Sequence, residues 1–167
     1  MDVVIIGAGQ AGVQAALSLR QLGHQGPISL LGEEPHPPYQ RPPLSKAYLK
    51  GETTGSQLHL RPAEALAALG IDLRMGQRAS KIDRAARCVT YGKDELGYDR
   101  LVLATGTRPR LLSVPGAGLA GVLTLRGIAD ADRLREAIDA AENIVIIGGG
   151  FIGLEVAATV RAKRARP

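Results

Sequence analysis

Two glycine-rich hexapeptides hold the residues best suited to chemistry in this chain. Gly7-Ala8-Gly9-Gln10-Ala11-Gly12 follows the apolar run Val3-Val4-Ile5-Ile6. Gly148-Gly149-Gly150-Phe151-Ile152-Gly153 follows Ile144-Val145-Ile146-Ile147. A strand that runs into GxGxxG and then a helix is a pyrophosphate cradle. Its glycines permit the tight turn, the close approach of backbone to phosphate, and close packing of helix on strand. Two such cradles in one chain point to two dinucleotides and to hydride passing between them. In that chemistry the cofactor carries the reaction, so no protein nucleophile or acid–base residue is required.

The first cradle has every element needed to position it. Val13–Leu22 reads as a helix with small residues near the phosphates and Leu or Val facing a sheet. Gly23 suits the left-handed position that closes a helix. A second strand, Ile28–Leu31 with Gly32, leads to Glu33, 21 residues after Gly12. An acid about 20 residues on is where a ribose hydroxyl pair is held. The second cradle has its helix, Leu154–Val160, but the same spacing from Gly153 falls near position 174, past Pro167. Arg164 stands where the first unit has Gly23, so the basic ending 161–167 reads as neither a helix stop nor a strand start.

Between the cradles lies a proline-rich stretch, Pro35 to Pro43, with five prolines in nine residues, which rules out a helix or a central strand. It follows Glu33 and is expected to run over a bound cofactor, presenting Arg41 and Lys46 on either side of Pro42-Pro43. A fixed cation beside a flavin ring would tune its redox chemistry. A surface loop with two solvated cations accounts for the same residues equally well. Further on, Arg61–Leu69 reads as a helix ending at Gly70, and Ile71–Met75 as a short strand. Lys81–Asp83 and Cys88–Tyr91 read as β segments, and Val122–Arg126 as another short strand. Leu101–Ala104 should be a strand that leaves Thr105 and Gly106 at the carboxyl edge of the sheet, where ligands bind in open α/β folds. Residues 129–141 pattern as an amphipathic helix. These elements divide the chain into residues 1–114, the first part of one dinucleotide-binding domain, and 115–167, the incomplete start of a second.

Composition excludes several classes of function. The apolar runs are far shorter than a membrane span, and Val3–Ile6 is too short for a secretory signal. Cys88 is the single cysteine, so there is no redox pair, and it should pack as a small apolar residue in a strand. Four of the five net positive charges come from Arg161, Lys163, Arg164 and Arg166. With no Trp and one Phe, no stacking platform accompanies them, which argues against nucleic-acid binding. Arg108 and Arg110 could steer an acidic protein partner, although solvated surface charge explains them as well.

Taken together, GAGxAG, Glu33, RPPLSKxYL, YDxLVLATG and GGGFIGLE resemble the FAD-dependent, NADH-linked ferredoxin reductases of bacterial oxygenase systems. These form the putidaredoxin, rubredoxin and dioxygenase ferredoxin reductase family. The resemblance covers residues 1–160. It implies a glutathione-reductase-like, Rossmann-type α/β architecture with two dinucleotide sites. FAD would lie along Gly7, Gly9, Gln10, Ala11 and Gly12, with its ribose on Glu33 and its adenine near Ala79. Arg41, Pro42 and Lys46 would approach the flavin ring, and Thr105, Gly106 and Arg126 would close over the cofactor. NADH would use Gly148, Gly150, Phe151, Ile152, Gly153 and Glu155. The implied partner is a [2Fe–2S] ferredoxin or similar small electron-transfer protein, and the implied location is the cytoplasm.

Members of that family are much longer than 167 residues and complete both domains with later segments. The chain is therefore expected to represent an N-terminal portion, inactive alone and open to self-association through its incomplete second domain. The alternatives are a non-catalytic nucleotide-binding remnant, or a related reductase acting on rubredoxin or monodehydroascorbate.

Overall fold

The computed structural model describes residues 1–164. In chain order the first elements are β1 (Val3–Ile6), α1 (Gln10–Gln21), β2 (Ile28–Leu31), α2 (Ala47–Lys50) and α3 (Ala63–Ala68). They are followed by β3 (Ile71–Arg74), β4 (Ala79–Asp83), β5 (Cys88–Tyr91), β6 (Asp94–Gly97), β7 (Arg100–Leu103), α4 (Ile128–Ala140) and α5 (Phe151–Arg164). These elements divide into two compact units. The first comprises residues 1–40 and 59–106, and the second comprises residues 41–58 and 107–167.

The first unit is built on a parallel sheet in the order β3-β2-β1-β7. Val3 lies level with Ile28 on one side and with Arg100 on the other. All four residues of β1 are buried, from Ile5 at 0% exposure to Ile6 at 9%. Both faces of the sheet are therefore covered, which is why β1 reads as a continuous apolar run rather than an alternating one. Val3, Ile5, Ile28 and Leu30 pack with Val13 and Ala16 of α1 and Leu66 of α3. Val4, Ile6 and Leu31 pack with Val89 and Tyr91 on the other face. Those two residues belong to an antiparallel β4-β5-β6 sheet, of which β6 escaped the sequence reading. Its residues, Asp94-Glu95-Leu96-Gly97, include none of the β-branched types that mark a strand.

Helix α1 ends as Gly23 requires. Gly23 adopts φ +87°, its N–H donates to the Arg20 carbonyl, and the His24 N–H donates to that of Leu19. These two bonds form a Schellman closure. Arg20 then ties this corner to the end of α3. Its guanidinium donates to the carbonyls of His24, Gly26, Leu69 and Gly70, each at 2.7 Å.

In the second unit, Pro42–Ser45 forms one 3₁₀ turn that leads into the single turn of α2, closed by Gly51 at φ +79°. The prolines thus start a helical turn instead of forbidding one. A proline at the first helical position loses no hydrogen bond, because its N–H would be unpaired there in any case. Leu49, Ile138 and Val156 bring α2, α4 and α5 together, with Leu125, Leu134, Ile144 and Val160 around them.

Two strands expected from the sequence do not form. Val122–Arg126 is irregular, and Ile144–Ile147 pairs with no strand among the described residues. An apolar run becomes a strand only where a neighbour supplies its hydrogen bonds. Here Val145 and Ile147 are 86% and 72% exposed. The basic segment after Val160 continues α5 to Arg164, and residues 165–167 lie outside the described residues.

Candidate functional site

The first glycine hexapeptide is folded as a cradle, with each glycine needed for a different reason. Gly7 sits at φ +112°, and a Cβ there would meet the Ala104 carbonyl oxygen at 2.1 Å. A Cβ on Gly12 would meet the Gly7 carbonyl oxygen at 1.8 Å. A Cβ on Gly9 would meet nothing within 4 Å, leaving its side open for a ligand. Gly9 is also the N-cap of α1 and contributes no side-chain cap, so the first N–H groups of Gln10, Ala11 and Gly12 have no intrahelical partner. Such a terminus suits a pyrophosphate. These features fit an adenine dinucleotide.

The other expected residues of this unit flank the same edge of the sheet. The N–H of Gly7 donates to the Leu31 carbonyl, and that of Ala104 to the Ile6 carbonyl, which holds the ends of β1, β2 and β7 level. Glu33 follows β2 by two residues, and its carboxylate pairs with Arg78 Nη1 at 2.8 Å, both side chains being more than half exposed. Arg78 had no signal in the sequence reading. Ala79 and Thr105 line a cleft of about 270 Å³ with Ile6, Ser80, Ile82 and Leu103, and Gly106 is exposed after β7.

The second hexapeptide repeats the geometry of the first. Gly148 lies at φ +105°, and a Cβ on Gly153 would meet its carbonyl oxygen at 2.5 Å. One difference separates the two. The space beside Gly7 is filled by Ala104, whereas a Cβ on Gly148, Gly149 or Gly150 would meet nothing within 4 Å. Phe151 and Ile152, expected at the nicotinamide dinucleotide, are 89% and 56% exposed.

Within the second unit, one cleft of about 300 Å³ gathers residues that the sequence assigned to both cofactors. Arg41, Pro42, Lys46 and Arg126 line it with Ile152 and Glu155. Arg41 Nη1 donates to the Arg126 carbonyl at 2.7 Å. Arg126 Nε donates to the Thr107 carbonyl at 3.1 Å. Asp130 accepts the N–H groups of Arg126 and Gly127, each at 2.9 Å, which anchors this segment to the start of α4. Lys46 Nζ lies 2.8 Å from Glu155 Oε1. The Lys46 ammonium, followed by the Ser45 hydroxyl, holds the Glu155 carboxyl below the usual glutamate range. The pair gives the cleft a fixed cation beside a fixed anion, while Ile152 and Leu125 contribute apolar wall. Ser45, Asp130 and Thr159 were not singled out from sequence. Ser45 lies inside the RPPLSK run, and Thr159 stands one helical turn from Glu155.

Among the described residues, no His, Cys, Asp and Glu cluster could hold a metal ion, and no helix is long and apolar enough to cross a membrane.

The comparisons with known proteins agree with this geometry. The profile of the pyridine nucleotide-disulphide oxidoreductase family matches residues 1–166. The rhodocoxin reductase of Rhodococcus erythropolis is 50% identical over 164 residues, which is 98% of this chain and 38% of that protein. A crystal structure of a ferredoxin reductase from Rhodopseudomonas palustris superposes with a TM-score of 0.93 at 47% identity, over 97% of this chain and 40% of that one. The putidaredoxin reductase of a covalent complex with putidaredoxin superposes at 0.89 and 46% identity, over 96% of this chain and 40% of that one. The chain thus spans about 40% of the length of the relatives it matches.

Proposed function

Because the chain belongs to the pyridine nucleotide-disulphide oxidoreductase family, we propose that it corresponds to the N-terminal part of an FAD-dependent reductase. That reductase draws electrons from NADH and passes them to a [2Fe–2S] ferredoxin or similar small electron-transfer protein in the cytoplasm. The observation that carries this reading is the repeated glycine geometry. Gly7 with Gly12, and Gly148 with Gly153, build the same cradle twice, as two dinucleotides require. Relatives named as reductases of rhodocoxin and putidaredoxin support the class of partner. The absence of a CxxxxC pair in these residues separates it from reductases that work through a disulfide.

On this reading the FAD-binding domain begins within residues 1–114, and the NADH-binding domain within 115–167. Gly7, Gly9, Gln10, Ala11 and Gly12 would hold the FAD pyrophosphate. Glu33 would hold its ribose and Ala79 its adenine, with Thr105, Gly106 and Arg126 closing over it. Arg41, Pro42 and Lys46 would meet the flavin ring, which when bound accepts hydride and releases single electrons. The Lys46 ammonium would favour an anionic reduced ring. Gly148, Gly150, Phe151, Ile152, Gly153 and Glu155 would serve NADH.

Among the described residues Ile144–Ile147 has no paired neighbour, and Phe151 and Ile152 are exposed, which supports no turnover by this chain alone. The apolar run Val145–Ile147, exposed and without a ladder partner among the described residues, also favours self-association there. Separate calorimetric titrations of the 167-residue chain with FAD and NADH test the reading. FAD binding that is weaker than in a full-length relative, with feeble or no NADH binding, is expected. No binding of any adenine dinucleotide would overturn it.

A further inference from the structure

Ser45 and Thr159 couple the Pro42–Ser45 turn to α5 through a short chain of hydrogen bonds. Glu155 and Thr159 stand four residues apart, on one face of the helix, and both reach the same residue. Ser45 Oγ donates to Glu155 Oε2 at 2.5 Å. Thr159 Oγ1 donates to the Ser45 carbonyl oxygen at 3.1 Å. Lys46 Nζ lies 2.8 Å from the other carboxylate oxygen, Glu155 Oε1. Thr159 is 2% exposed and Ser45 5%, so the Thr159 bond is buried, while the Ser45 hydroxyl meets the 30% exposed Glu155 side chain on the cleft wall.

The pattern leaves the Glu155 carboxylate one orientation. An ammonium is a compact point charge with rotatable donors, and alone it does not select a carboxylate rotamer. A hydroxyl on the second oxygen does, through a short charge-assisted bond. That hydroxyl can aim correctly only if the Ser45 main chain is held against the helix, and Thr159 supplies the hold.

We propose that Ser45 and Thr159 are positioning residues: Thr159 fixes the Ser45 backbone on α5, Ser45 orients Glu155, and Glu155 sets the place of the Lys46 ammonium on the cleft wall. The service of Lys46 to a flavin rests on the function proposed above, whereas the clamp itself is a property of this chain's own atoms. The charged groups lining the cleft with Glu155 are Arg41, Lys46 and Arg126. None of them changes in the variants below.

The test is a ¹³C NMR titration of the Glu155 side-chain carboxyl in the full chain, assigned by its loss in Glu155→Gln. The wild-type carboxyl is expected to titrate below the ordinary glutamate range. Ser45→Ala should move the titration upward towards that range. Thr159→Val, which keeps the shape and removes the hydroxyl, should move it in the same direction, and Thr159→Ser should return it to the wild-type position. An unmoved titration in Ser45→Ala, or failure of Thr159→Ser to restore what Thr159→Val loses, would overturn the clamp. Should Thr159→Val fail to fold, Thr159→Ala removes the same hydroxyl and takes its place, an unmoved titration in whichever of the two folds overturning the hold. FAD titration of the same wild-type protein reports separately, so loss of the flavin reading and loss of the clamp are distinct results.

Discussion

A Cβ placed on Gly153 would lie 2.5 Å from the carbonyl oxygen of Gly148, just as one on Gly12 would lie 1.8 Å from that of Gly7. Both separations are far below van der Waals contact, so the helix can approach the turn only where there is no side chain. Gly9 behaves differently, with nothing within 4 Å of its missing Cβ. The two kinds of glycine should therefore fail in different ways when substituted. Gly12→Ala should destabilise the first unit by about 1–3 kcal/mol through overpacking, read by urea unfolding. Gly9→Ser, which puts an N-cap former at the N-cap, should leave the unfolding midpoint unchanged or raised. It should nonetheless weaken adenine dinucleotide binding at least about tenfold, about 1.4 kcal/mol. Equal loss of stability in both variants would refute this division of labour.

Glu33 and Arg78 form an exposed pair at the end of the first unit's sheet. Exposed pairs contribute about 0–1 kcal/mol to stability, so Arg78→Ala should fold with a near-normal melting temperature. Glu33→Ala should weaken FAD or ADP binding by roughly 1–3 kcal/mol, the cost of leaving a polar group unpaired. Calorimetry that finds equal affinity in Glu33→Ala and the parent would remove the ribose assignment.

Arg20 gathers four carbonyl oxygens from the ends of α1 and α3 at 2.7 Å each. Arg20→Ala leaves all four to find water. The expected loss is about 1–3 kcal/mol in chemical denaturation. Arg20→Lys should recover only part of it, because a single ammonium cannot reproduce the planar fork. Full recovery by lysine would show that charge, not geometry, matters at this corner.

Asp130 and Glu155 make the second unit sensitive to acid. Burial alone would raise the Asp130 carboxyl, but the Gly127 N–H, the Arg133 guanidinium and the Arg126 N–H lower it on balance. Glu155 is lowered by Lys46 and Ser45. Carboxyls with depressed folded values contribute stability that is complete above their unfolded values of about 4. It is lost as pH falls through the lower folded values. Urea unfolding should therefore show stability flat near neutrality and declining below about pH 4. Asp130→Asn should be less stable near neutrality and flatter with pH. A steeper acid decline in that variant would contradict the sign of the shift.

Turnover offers the last prediction. NADH with this chain and ferricyanide or a ferredoxin should give no rate above background. A rate proportional to protein concentration and abolished by Gly150→Asp would mean that a second copy completes the open cradle at Gly148–Gly153.

Much of the molecule was determined by local sequence. Val3–Ile6 and Ile28–Leu31 were legible as strands because each is a short, mainly apolar run next to turn chemistry, and each finds the other as its parallel neighbour. Gly23 ended α1 because only glycine takes its positive φ without strain. The place of Glu33, two residues after β2, could be reached by counting from Gly12, since the βαβ unit fixes that path length, whereas its service to a ribose stands as proposed. Tertiary structure decided the rest. Ile144–Ile147 has the same apolar character as Val3–Ile6, yet it forms no ladder among the described residues, because a strand is defined by neighbours that its own residues do not supply. The pairing of Lys46 with Glu155, and the hold of Thr159 on Ser45, join residues more than a hundred positions apart. No spacing rule connects such distant positions. They meet because Leu49, Ile138 and Val156 bury their apolar surface together and carry the polar groups beside them into register.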